Sequence, residues 1–235
     1  MTSTAPLIIQ RQGGIVTLQF NRPEAFNALN VELAQEFAAA MRTLSADQGL
    51  RARDPLIEAC RAAGATQARI RGVGKRLFTC LRPVFKSAPP ERLRLIKAAC
   101  LLHDTTWRTH PDYRAEACFD NATRANLGGL DHPGRVFLGL SLLHRYRNSR
   151  AGSRMEPLFR LLTEEELTEA EVLGKAMRFG AMFSIDHPEE AGSLHWQPKK
   201  RVLELRLTER GVGLMVEVAQ ARFNALVLAL RATPK

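Results

Sequence analysis

The sequence predicts a mainly α protein: a helical bundle with a small C-terminal β element, preceded by an N-terminal β-hairpin and one helix. Three observations predict it. From Pro55 onward, apolar residues recur at helical spacing for about 130 residues. Period-two alternation is confined to short runs, at residues 15–20 and 201–207. The chain has 235 residues, 45% hydrophobic and 25% charged, which suits a buried core and excludes disorder as its main state.

Each element has its own justification. Residues 7–10 and 15–20 are β-prone runs around Gly13-Gly14, so they read as a hairpin. Asn21-Arg22-Pro23 ends the second strand. Asn30 caps a helix over 31–44, with apolar residues at 33, 34, 37, 38, 41 and 44. Residues 45–54 are a polar joint. Helices follow at 55–63, at 66–85 with a disturbance at Pro83, and at 90–102, ending on His103-Asp104. Two more cover 112–125 and 133–147, and a loop spans 148–153. Thr163 caps a helix that runs to about residue 184, with Glu164, Glu165 and Glu166 at its positive end. Residues 186–192 read as a turn and 201–207 as a strand, with 212–218 as its partner. A last helix covers 219–230.

The formal net charge of +10 sits in one segment. Residues 51–154 hold 20 Lys and Arg against eight acids, whereas each flank is net −1. Seventeen of those 20 cations are Arg, whose forked donors match phosphate oxygens. The pattern fits either a polyanion surface or a solvated basic face. The segment's aromatics are scattered among apolar neighbours, which gives base stacking little support, yet nucleic acid is not excluded. Cys60, Cys80, Cys100 and Cys118 form no CxxC pair, so they read as reduced, buried thiols of a cytoplasmic protein. No apolar run approaches the roughly 20 residues of a membrane span, and residues 1–9 lack the features of a secretory signal.

Two resemblances meet near residue 50. Ile15-Val16-Thr17-Leu18, then Asn21-Arg22-Pro23-Glu24-Ala25-Phe26-Asn27-Ala28-Leu29-Asn30 and Leu44-Ser45-Ala46-Asp47, resemble the start of the crotonase (enoyl-CoA hydratase/isomerase) family. The likeness covers residues 1–50 and makes 1–48 a truncated crotonase-like hairpin and helix. That family's oxyanion hole and carboxylates come from later residues, so no hydratase activity is expected. A longer likeness runs over residues 53–230. It is carried by Ala98-Ala99-Cys100-Leu101-Leu102-His103-Asp104, Trp107-Arg108 and His110-Pro111-Asp112-Tyr113-Arg114. It continues in Gly129-Leu130-Asp131-His132-Pro133-Gly134-Arg135 and Leu142-Leu143-His144-Arg145-Tyr146-Arg147. These resemble the C-terminal, all-helical HD-like domain of the exopolyphosphatase / guanosine pentaphosphate phosphatase family. On this reading 53–235 form that domain.

The resemblance implies a polyphosphate-binding accessory domain of a hydrolase family. The family's phosphohydrolase site belongs to N-terminal actin-like lobes outside the matched part, so the chain is expected to be inactive alone. The implied polyphosphate-binding residues are Arg108, Arg114, Arg135, His144, Arg145 and Arg147. An HD-type metal site would need an early His, the pair His103-Asp104 and a late Asp. No His precedes His103, and Ala181 stands at the late Asp position, so neither a metal nor another cofactor is expected. The implied partners are polyphosphate or another polyanion, with a separate catalytic chain or a second copy of this chain. Two alternatives stay open. His103 and Asp104 are the candidates for a residual HD-type phosphohydrolase, and the whole could be a non-functional fusion or scaffold.

Overall fold

A computed structural model of the chain describes residues 5–47 and 53–235, which fall in two compact units, Met1–Arg53 and Asp54–Lys235. The architecture is mainly α, with a small hairpin in the first unit and a small sheet in the second.

In the first unit β1 (Leu7–Gln12) pairs antiparallel with β2 (Ile15–Phe20), in the register Leu7↔Phe20 to Gln12↔Ile15. Gly13 turns the chain at φ +59, a left-handed conformation that glycine adopts without Cβ strain. Helix α1 (Val31–Ala46) starts on Asn30, whose side chain accepts from the Leu33 N–H. A hairpin and one helix read as too little to bury a core. The structure corrects this: Leu7, Leu33 and Ala40 are buried, with Leu18, Phe20 and Phe37 packed around them. Phe20 meets Phe37 edge to face at 5.8 Å.

The second unit is the helical bundle. Helix α2 (Pro55–Gln67) begins on Asp54, which accepts from the Leu56 and Ile57 N–H groups. Asp54 also takes a forked contact from Arg94 at 2.6 and 2.9 Å, and the guanidinium holds its carboxyl below the usual range. Next come α3 (Val73–Leu81) with a 3-10 turn at Arg82–Phe85, α4 (Pro90–Leu102), α5 (Pro111–Arg124) and α6 (His132–Tyr146). After a short α7 (Glu156–Phe159) comes α8 (Glu164–Phe183), entered through a capping box between Thr163 and Glu166. A short α9 (Pro188–Ala191) leads into β3 (Gly192–Gln197) and β4 (Val202–Leu207). The chain closes with a short α10 (Glu209–Val212), α11 (Glu217–Ala229) and β5 (Thr233–Pro234). β3 and β4 are antiparallel, and β5 lies parallel to β4.

Helix α6 is the centre of the bundle. From Val136 to Arg145 every residue is buried, polar Ser141, His144 and Arg145 along with an otherwise apolar run, as in a helix enclosed by its neighbours. It packs between α5 and α8, and α8 in turn packs on α11 and α3. The four cysteines are free and buried, as expected.

Two elements differ from the sequence reading. The single helix expected at 66–85 is broken: α2 continues to Gln67, the chain opens at 68–72, and Gly72 at φ +82 starts α3 afresh. The strand partner expected at 212–218 is instead the end of α10 and a turn into α11. Thr208 caps α10, and Gly211 lies so close to Ala191 O that a Cβ would sit 1.8 Å from it. β4 pairs upstream with β3, where the alternation is blurred by His195 and Trp196.

Candidate functional site

The segment that breaks the expected helix, together with the end of α4 and faces of α6, α8 and α11, encloses a cleft of about 500 Å³. Arg69, Ile70 and Val73 come from the break and the start of α3. His103, Asp104 and Trp107 follow α4, while Arg114 is on α5, Arg145 and Tyr146 on α6, Arg178, Ala181 and Met182 on α8, and Arg222 on α11.

The cleft has one dominant property. Five arginines, Arg69, Arg114, Arg145, Arg178 and Arg222, line it beside one acidic residue among the described residues, Asp104. Arg145 and Arg222 each keep a buried Nε–H with no acceptor among the described residues. Burial lowers the pKa of Arg178, and the nearby charges of Arg222 and Arg145 lower it further. A bound anion would relieve the mutual repulsion of cations crowded in this way. The remaining contacts hold the lining in place. Arg114 donates to Trp107 O at 2.6 Å and to Thr109 O at 2.9 Å, and Arg178 donates to Asn148 Oδ1 at 2.7 Å. The guanidiniums of Arg145 and Arg114 lie 4.8 and 5.5 Å from the centre of the Tyr146 ring.

His103 caps the C-terminus of α4, and its Nδ1 lies 2.9 Å from Cys100 O. A carbonyl can only accept, so Nδ1 carries the proton and Nε2 is left as an acceptor. Burial first, and then the charge of Arg145, push the imidazole pKa down to about 3. Asp104 accepts from the Arg69 N–H at 3.3 Å.

The sequence-derived residues divide sharply. Arg114, Arg145, His103 and Asp104 meet in the cleft, and Ala181 faces the same space. Arg135, Arg147, Arg108 and His144 are not brought together with them. Arg135 donates to Ala125 O and Leu127 O, both at 2.8 Å, and so finishes the carbonyls beyond α5. Arg147 reaches Ala151 O and pairs with Glu116. Arg108 is exposed over the Trp107 ring. His144 is buried where α6 crosses α8, with neither ring nitrogen partnered among the described residues. Arg69, Arg178 and Arg222 were missed. Arg178 and Arg222 lie in the C-terminal flank, which is net −1, so segment charge gives no signal for them.

Elsewhere in this unit, ligand atoms of His187, Glu189 and Glu190 lie within 4.8 Å of one another. Arg210 pairs with Glu190 at 3.1 Å and Arg76 approaches Glu189 at 3.9 Å, so cations already answer this charge.

The two buried histidines set a pH dependence. Burial also pushes the His144 pKa down to about 4, with Lys175 adding to the effect and Glu171 opposing it. Unfolded imidazoles titrate near about 6.5, so below that pH the unfolded chain binds more protons than the folded one. Stability is therefore full above that value and falls as pH decreases toward 4. The melting temperature should hold from pH 7.5 to about 6.5 and then drop steadily to pH 5, ahead of carboxylate titration. A level profile would show that both imidazoles gain protons freely in the fold.

Residues 83–230 match the family model described as exopolyphosphatase, C-terminal. No curated protein gives a significant match. The comparisons lend no support to the crotonase likeness of residues 1–50. The matched stretch holds every residue of the cleft except Arg69, Ile70 and Val73 and covers more than half of the sequence. On that ground the chain belongs to the exopolyphosphatase C-terminal domain family.

Proposed function

We propose that the helical unit is a polyanion-binding accessory domain whose ligand is polyphosphate, received in the arginine-lined cleft. One observation carries this reading: five arginines around one acidic residue, two of them with a buried Nε–H that lacks an acceptor among the described residues. Phosphate oxygens would supply those acceptors and offset the mutual repulsion at Arg178. The family membership favours polyphosphate over other polyanions, nucleic acid included. Hydrolysis would then belong to a separate catalytic chain, with a second copy of this chain as the other implied partner, in the cytoplasm.

The alternative of a residual HD-type phosphohydrolase has less support. His103 and Asp104 do line the cleft, but Ala181 lines it where that chemistry would want a carboxylate, and the guanidiniums oppose a divalent cation. The crotonase-like reading of the first unit carries no activity here.

Calorimetric titration with long-chain polyphosphate tests the proposal. Binding at low salt is expected, with a log–log salt slope of about −0.7 per contacted phosphate, taking single-stranded nucleic acid as the guide. Absence of binding at 50 mM salt would overturn it.

A further inference from the structure

We infer that the cleft selects a phosphate group that still carries a proton, meaning a chain end or a phosphomonoester, over a fully ionised interior phosphate. The inference rests on the reading of the cleft as a phosphate site and names which phosphate it takes. Its basis is that two adjacent residues put acceptors into a lining otherwise made of donors.

The first acceptor is the Asp104 carboxylate. Its Oδ2 accepts from the Arg69 N–H, and its Oδ1 stands 3.5 Å from the Tyr146 hydroxyl. That hydroxyl has one proton, and its shorter contact, 2.9 Å, is to His103 O. No arginine forms an ion pair with Asp104 among the described residues. Two oxygens with about four lone-pair sites are therefore underused. The second acceptor is His103 Nε2, left bare because Nδ1 donates to Cys100 O.

A carboxylate set into an anion site acts as a filter. It repels an oxyanion with no proton and accepts a short, charge-assisted hydrogen bond from a P–OH. A terminal phosphoryl group has a second pKa of about 6, so near neutrality it exists with and without that proton. An interior phosphate of a chain is a strong acid and never carries one. Sulfate, also without a proton, should be rejected for the same reason. The guanidiniums supply affinity for either kind of group, and Asp104 with His103 supplies the choice between them.

The test is calorimetric titration at pH 6.5 with linear tripolyphosphate, which has two ends, and cyclic tetrametaphosphate, which has none. The linear compound should bind at least about tenfold more tightly, the worth of one charge-assisted hydrogen bond. In Asp104→Asn, checked for an unchanged melt, the ratio should shrink to about twofold, chiefly because the ring now binds. Equal binding by the unaltered protein would overturn the selection and leave the phosphate reading standing. A preference that survives Asp104→Asn unchanged would assign it to ligand shape and overturn the role of the proton. Failure of both compounds to bind at low salt would overturn the phosphate reading itself. Orthophosphate against sulfate on the unaltered protein gives a check that needs no variant, and equal binding of the two would count against the filter.

Discussion

Replacing Arg145 and Arg222 together by glutamine is expected to weaken polyphosphate binding by about 1–3 kcal/mol, while the fold stays as stable as before or gains. The two side chains line one cleft from α6 and α11, and each holds a buried Nε–H with no acceptor among the described residues. In the free protein those donors are a cost. With a phosphate oxygen in reach they become charge-assisted bonds. The same two charges lower the pKa of Arg178, so their removal relieves repulsion. That makes the outcome two-sided: lost affinity with a steady or raised melting temperature. A pair of equal charge elsewhere serves as the control. Lys199 and Lys200 are exposed in the turn between β3 and β4, and replacing both by glutamine should change affinity little. Equal losses from the two pairs would reduce the site to diffuse positive charge. A large fall in melting temperature would make Arg145 and Arg222 structural.

Most of the bundle was legible in the sequence, because local chemistry decides it. Asn30 and Thr163 read as caps from the sequence and cap helices in the structure, and Asp54 and Asp131, which have the same capping chemistry, cap two more. The break at 68–72 was hidden because Arg69 to Gly72 continue an acceptable helical period, and only the left-handed Gly72 stops it. That hidden break matters, since it delivers Arg69 and Ile70 to the cleft. The site itself was half legible. His103-Asp104 and Ala181 were found from the family pattern and do share one cleft. The candidate arginines came from the stretch that is both family-like and basic, and neither property says which way a side chain leaves its helix. Arg135 and Arg147 sit in the basic segment yet spend their donors on carbonyls and on Glu116. Arg222 is the lone arginine of α11 and was invisible to any tally, but the packing of α11 on α8 sets it beside Arg178.

The packing that gathers these arginines depends on one glycine, and Gly174→Ala is expected to cost about 3 kcal/mol or more. Gly174 lies on α8 at its closest approach to α6. A Cβ there would sit 2.3 Å from the His144 Cβ, 2.6 Å from Ser141 O and 2.8 Å from the His144 carbonyl carbon. None of these is the end of a flexible side chain, so relief requires one of the two central helices to move. Alanine is the better helix former by about 1 kcal/mol, which offsets only part of that cost. The melting temperature should fall on the order of 10 °C for a unit of this size. Function should fall with it for a geometric reason. Arg145 follows His144 directly on α6, and Arg178 lies one turn beyond Gly174 on α8, so spreading the helices separates the guanidiniums that face the cleft. Gly213→Ala is the matched control, because the nearest atom to its new Cβ would be Arg210 O at 4.0 Å and its φ is −68. That change should be neutral or slightly stabilising. If Gly174→Ala melts like the parent and binds polyphosphate with the same affinity, the close crossing of α6 and α8 does not set the geometry of the site.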